Sequence, residues 1–155
     1  MLRPLILLAG SLLTHPAAAQ QVRAGALVIE APVIRVARPE ARTGAGFLLI
    51  RNTGRRDDRL LSVTTDAATR SDLHGTIRDG NVMRMRAQGD GVPVPAGGHA
   101  LFAPGGLHVM FIGIRRPLPP GSRVKARLLF EKVGPVDVSF TASLAGTPLP
   151  PSHRP

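Results

Sequence analysis

The 155-residue chain sets 20 Lys plus Arg against 10 Asp plus Glu, a formal net charge of +10 with a pI near 11.8. Its 43% hydrophobic content can fill the core of one domain and excludes a chain kept disordered by charge. With no Cys, Trp or Tyr, it cannot be a disulfide scaffold, a thiol redox protein, an iron–sulfur protein, a Cys-ligated zinc site or a blue-copper site.

Residues 1–19 read as a secretory signal peptide. Arg3 begins it, Leu5–Leu13 is a short apolar run, and Ala17-Ala18-Ala19 precedes cleavage before Gln20. The run is too short to span a bilayer, no later segment is long and apolar enough to do so, and no Cys is present to take a lipid. The expected product is exported to the periplasm of a Gram-negative cell, without stable membrane insertion. Residues 20–145 form one expected domain. Its short candidate strands are Ala26–Glu30, Val33–Val36, Gly46–Asn52, Arg59–Thr64, Ser71–Thr76, Asn81–Arg86, Ala100–Ala103, His108–Ile114, Arg123–Glu131 and Val136–Leu144. Turn residues separate them, among them Asp79-Gly80-Asn81, Pro95-Ala96-Gly97-Gly98 and Pro104-Gly105-Gly106. This pattern predicts an all-β sandwich or barrel. Only Asp66–Arg70 suggests a helical turn, and residues 146–155, rich in Pro, read as a disordered tail.

The positive charge invites a nucleic-acid reading. Single-strand binders, however, stack bases on aromatic platforms, and this chain has neither Tyr nor Trp. A solvated, Arg-rich β surface suited to an acidic partner accounts for the charge better.

The informative feature is where methionine and histidine fall. Beyond Met1 there are three methionines, Met83, Met85 and Met110. Strand alternation puts Met83 and Met85 on one face of their strand, and His108, Met110 and Ile112 on one face of theirs. Residues two apart on a strand are roughly 6–7 Å apart, so an imidazole and a thioether can meet at one ion. His74 heads the array. The competing reading has the methionines filling a core and the histidines satisfied locally. Met83 either packs beside Met85 or acts as an auxiliary ligand, His99 caps a turn, and His153 belongs to the tail.

Thioether sulfur is neutral, soft and polarisable, so a site of two imidazoles and two thioethers favours Cu(I) over Zn(II), Mg(II) or Ca(II). Lacking thiolate, it would hold the ion loosely enough to give it up, and it would survive an oxidising compartment.

The segments Asp72-Leu73-His74, Asn81–Arg86, Val94–Gly98 and Pro104–Met110 resemble the periplasmic copper chaperone family PCuAC (DUF461-like). Gly44–Gly54, Asp58–Leu61 and Phe130-Glu131-Lys132 extend the resemblance over roughly residues 25–143. It implies a cupredoxin-like Greek-key β-sandwich binding one Cu(I) per chain, with His74, Met85, His108 and Met110 as ligands. It further implies a monomeric carrier that hands copper to an acceptor protein of respiratory oxidase assembly, for the dinuclear copper site of cytochrome c oxidase. Many relatives have a further Met soon after the first His. Here Gly75-Thr76-Ile77 follows, so that Met is absent or replaced by Met83. Only His153 could serve a second copper in the tail.

Enzyme chemistry is not expected. No Gly-x-Ser-x-Gly elbow accompanies Asp72 and His74, and the carboxylates are scattered. The alternative class is an exported β-sandwich that binds no metal and acts as a scaffold.

Overall fold

Residues alternating between apolar and polar along short runs form eleven strands in the computed structural model, which describes residues 20–153. They are β1 (Gln21–Ala24), β2 (Leu27–Val36), β3 (Thr43–Asn52), β4 (Asp58–Thr64), β5 (Ala68–Asp79), β6 (Val82–Ala87), β7 (Val92–Val94), β8 (His99–Phe102), β9 (His108–Ile114), β10 (Arg123–Phe130) and β11 (Pro135–Leu144). The signal-peptide expectation lies outside the described residues. Among those described, no helix is long and apolar enough to cross a membrane.

Hydrogen bonding links the strands in the order β6-β5-β9-β3-β2-β11-β10-β4-β7, with β1 added to β2 and β8 to β3. Two ten-residue strands divide an edge between two partners each. β3 pairs with β9 through Thr43–Gly46 and with β8 through Leu48–Arg51. β2 pairs with β1 before a bulge and with β11 after it. A strand that changes partner midway turns the corner between two layers. The bulge joins what the sequence suggests are two strands: Ala31, at φ 47°, and Pro32 interrupt the register between Glu30 and Val33 without ending β2.

The core between the layers is aliphatic and phenylalanine-rich. Phe102, Phe111, Phe130 and Phe140 are essentially fully buried, and Phe111 meets Phe140 edge-on at 5.4 Å. Gly46 lies opposite Val109 where only hydrogen fits: a Cβ there would sit 2.7 Å from Phe111 and 3.1 Å from Phe140. The helical turn suggested at Asp66–Arg70 does not form. Thr65 Oγ1 accepts from the Ala67 N–H in a tight turn, and β5 begins at Ala68.

The tail also departs from expectation. Instead of staying disordered, residues 146–153 fold back on β3 and end in a 3-10 turn, Pro151–His153, with the Arg35 guanidinium donating to the Thr147 carbonyl. His153 is only 3% exposed, and among the described residues neither ring nitrogen has a hydrogen-bond partner. Pro148, Pro150 and Pro151 stiffen the segment, which lowers the entropy lost on docking.

Two outcomes follow. Gly46→Ala forces the Phe111 ring aside and should lower stability by about 1–3 kcal/mol, read from the denaturation midpoint at constant slope. At His153, burial pushes the imidazole below the usual histidine value, the nearby Arg35 cation adds to this, and backbone groups of Phe47 and Pro150 oppose it. The unfolded or undocked tail therefore binds a proton first as pH falls. Docking is favourable above about pH 6.5 and weakens below it. Protection of the Thr147 and His153 amides against hydrogen exchange should drop on acidification, and a His153→Phe variant should not show the drop.

Candidate metal centre

Three adjacent strands build the site. β5 runs antiparallel to β9 on one side and to β6 on the other. In the β5–β9 ladder His74 stands directly opposite His108, and Asp72 opposite Met110. In the β5–β6 ladder Thr76 stands opposite Met85, and Arg78 opposite Met83. Directly opposed residues share a face, as do residues two apart. His74, His108, Met110, Met85 and Met83 therefore all lie on one face of the sheet. Leu73, Val109 and Phe111, on the other face, are buried in the core. The β5–β6 hairpin closes through Gly80-Asn81, with Gly80 at φ 61°, the conformation glycine supplies at the first position of a type II′ loop.

The imidazoles form the rigid part. Their rings meet edge to face, with centroids 5.7 Å apart and planes at 86°. His108 is 8% exposed, and its Nδ1 lies 3.1 Å from the Gly106 carbonyl, which also accepts the Thr76 N–H at 3.2 Å. A carbonyl can only accept, so Nδ1 carries the proton and the Nε2 lone pair is left free for a metal. Gly106 is held in turn by the Pro104-Gly105 turn, where Gly105 has φ 80° and the Gly106 N–H donates to the Ala103 carbonyl. The His74 Nδ1 is buried with no hydrogen-bond partner among the described residues, an uncompensated polar atom that calls for an explanation such as a ligand.

The methionines differ in setting. Met110 is half-buried beside His108, whereas Met83 and Met85 are 56% and 64% exposed. The packing role weighed for Met83 is absent, and Met85 is not a core residue either. All six residues of β6 are exposed. Met85 lies one strand beyond His74 and one side-chain step along it, Met110 a step the other way on β9. In an untwisted sheet this puts the Met85 Cα about 12 Å from that of His108 and about 16 Å from that of Met110. The two imidazoles and Met110 thus cluster, while Met85 stands one strand farther out on the β5–β6 arm.

Charge beside the imidazoles is paired, while farther along this face Arg78, opposite Met83, has no acidic partner among the described residues. Asp72 is paired to Arg70 at 2.9 Å, and among the described residues no group of three or more His, Asp or Glu gathers as a hard-metal site. His99 does not cap a turn; it opens β8 opposite Arg51. No local sequence signal marks the tail as ordered, yet Ser152 Oγ and both ring nitrogens of His153 near its end are buried polar atoms without a partner among the described residues.

The fold is the cupredoxin-like β-sandwich, as comparison with solved structures shows. The copper-bound PCuAC domain from PmoF2 superposes with a TM-score of 0.67 at 24% identity, over 81% of this chain and 98% of that one. The solution structure of apo-DR1885 from Deinococcus radiodurans gives 0.62 at 23%, over 94% and 98%. Its CuI form gives 0.60 at 24%, over 82% and 83%. At these identities the likeness establishes architecture.

Over residues 27–142 the sequence matches the LpqE-like family, described as "Putative lipoprotein LpqE-like", and the chain belongs to that family. A curated relative, "Putative lipoprotein Lxx21020" of Leifsonia xyli subsp. xyli (strain CTCB07), is 32% identical over 87 residues, 56% of this chain. The match spans about half of that relative's length, 52%.

The Gly106 contact makes a spectroscopic prediction. Long-range proton–nitrogen correlation on the apo protein should find neutral His108 as the Nδ1–H tautomer. An Nε2–H tautomer would mean that the metal-facing nitrogen is already occupied by a proton.

Proposed function

We propose that the protein is an exported Cu(I) metallochaperone and not an enzyme, binding one Cu(I) per chain through His74, Met85, His108 and Met110. The observation that carries this reading is the His74–His108 pair: two imidazoles directly opposed on one sheet face, one with a free Nε2 and one with an orphaned buried nitrogen. The mature chain's whole methionine complement lies on the same face. The donor set is neutral and soft, and the one adjacent carboxylate, Asp72, is already taken by Arg70. Such a site has little to offer a hard dication. Likeness in fold to PCuAC domains solved with copper supports the same cargo.

In this reading His74, His108 and Met110 are the fixed ligands, and Met85 on the exposed arm is the one that closes over the ion and releases it. Met83, next along the same face, is an auxiliary thioether. The copper moves as Cu(I) throughout, so transfer needs ligand exchange and no electron. The leader, residues 1–19, delivers the chain to the periplasm, and kinship with proteins described as lipoproteins agrees with export. Residues 20–145 then act as a monomeric carrier. The recipient is an acceptor protein in assembly of the dinuclear copper site of cytochrome c oxidase.

Competition against a colorimetric Cu(I) chelator tests the site. The mature protein should bind one Cu(I) and ignore Zn(II). Met85→Leu and Met110→Leu keep approximate volume, so folding should be intact while affinity falls by about tenfold or more, at least the loss seen when outer ligand partners are removed. Met83→Leu should lose less. Unchanged affinity in both of the first two variants would remove the methionines from the ligand set, and absence of Cu(I) binding by the wild type would leave a metal-free scaffold as the reading. For the recipient, loss of oxidase activity in a deletion strain grown at limiting copper, restored by wild type and not by His108→Ala, is the expected result.

A further inference from the structure

The strand that carries Met85 is also the open end of the sheet. Among the described residues β6 is terminal in the strand order and pairs only with β5. The opposite terminal strand, β7, is three residues long and contains Pro93, two standard ways of blunting an edge. β6 is twice that length, has no proline and is exposed throughout.

The hydrogen bonds show which β6 groups are free. The Thr76 N–H points away from β6 to the Gly106 carbonyl, and the Leu73 carbonyl points toward it, accepting from Gln88. Backbone direction alternates along an antiparallel strand. The pairs bonded to β5 are therefore Gly75–Arg86, Ile77–Arg84 and Asp79–Val82, while the N–H and C=O of Met83 and Met85 face the open edge. The two methionines thus present thioethers to the histidine face and unpaired main chain to any strand laid alongside.

The side chains define what that strand would be. Val82, Arg84 and Arg86 lie on the face away from the histidines, Met83 and Met85 on the histidine face. Arg84 is paired with Asp79 at 3.2 Å, but among the described residues Arg78 and Arg86 have no acidic partner. A matching strand alternates acidic residues, opposite the arginines, with apolar ones, opposite the methionines. A second copy of β6 is a poor match because arginine would oppose arginine.

We propose that the free edge of β6 is the docking site for an extended segment of the copper acceptor that alternates acidic and apolar residues and joins the sheet as an added strand. The proposal rests on the copper-carrier reading and supplies its mechanism of delivery. A residue opposite Met85 in the added strand shares the histidine face, with its Cβ about 5 Å from that of Met85. A donor atom on that residue can bond Cu(I) as the Met85 thioether lets go, so one bond forms as one breaks and the oxidation state is unchanged.

The probe is an alternating Glu–Val heptapeptide, with a Lys–Val heptapeptide as its counterpart, titrated into the apo mature protein. The Glu–Val peptide should bind and protect the Met83 and Met85 amides from hydrogen exchange, and the Lys–Val peptide should bind about tenfold more weakly or not at all. Met83→Leu should keep the docking. Met83→Pro removes one outward N–H and should abolish it while the inward-facing Arg84 amide stays protected. Arg84→Glu with Arg86→Glu should also weaken Glu–Val binding by about tenfold or more and leave the Cu(I) titration as in wild type, since both side chains face away from the histidines. Equal binding of the two peptides, docking undiminished in Met83→Pro, or protection confined to other strands would each overturn the proposal. So would a concentration-dependent dimer that Met83→Pro abolishes, which would make a second copy the occupant. Failure of wild type to bind Cu(I) while the β6 amides are protected would fail the copper reading and leave the strand docking standing. Normal Cu(I) binding with no protected β6 amide would do the reverse.

Discussion

The pairing of His74 with His108 depends on a register, and that register is set from the opposite face of the sheet. Leu73 and Val109 are buried neighbours in the same ladder, and Phe111 follows them into the core against Phe140. A slip of one residue would turn Leu73 out and His74 into a phenylalanine-lined interior, at a cost of several kcal/mol from exposed apolar surface and a buried imidazole with no partner. The chemistry on the outer face is thus positioned by hydrophobic burial on the inner one. Gly46 is part of the same constraint: its missing side chain lets β3 lie close enough to β9 for Phe111 to seat.

The polar half of the centre is held by backbone rather than by side chains. One carbonyl, that of Gly106, receives both the Thr76 amide and the His108 Nδ1. It ties the ring of one proposed ligand to the strand that carries the other. Orientation by a backbone carbonyl adds no charge, in contrast with the carboxylate partners that raise the basicity of zinc-binding histidines. Asp72 is neutralised by Arg70 and Arg78 adds an unpaired cation farther along, so the face offers no free carboxylate to a hard dication, while its soft neutral donors suit a soft monovalent ion.

Much of this was legible in the sequence because strand alternation is a period-2 signal that survives without knowing the partner. It assigned His108 and Met110 to one face and Met83 with Met85 to another shared face, and the ladder then joined those faces through β5. Other features depend on long-range packing and left no local trace. The Ala31-Pro32 bulge reads as a break between two strands because a proline commonly ends one, yet the chain on either side stays in the same sheet. Val92-Pro93-Val94 is too short to stand out, and β1 forms only because Leu27–Glu30 offers it an edge. The tail was misread for a related reason. Proline content signals the absence of strands and long helices, and the segment docks on β3 through a single 3-10 turn instead.

The exposure of β6 gives the division of labour in the sheet its sharpest form. Val82, Met83 and Met85 together leave an apolar surface on an unprotected edge, an arrangement that invites aggregation unless something is gained by it. Arg84 and Arg86 answer the hazard in part, because like charges oppose one another when two copies meet edge to edge. The same arginines do not repel an acidic strand. An edge closed to itself and open to the opposite charge is selective by repulsion as much as by attraction. The exposed thioether and the outward-facing main chain belong to the same residue, Met85. In the proposed carrier, occupying the edge would therefore act directly on the ligand that lets go, whereas the histidines, anchored through Gly106 and the core, have no such route to move.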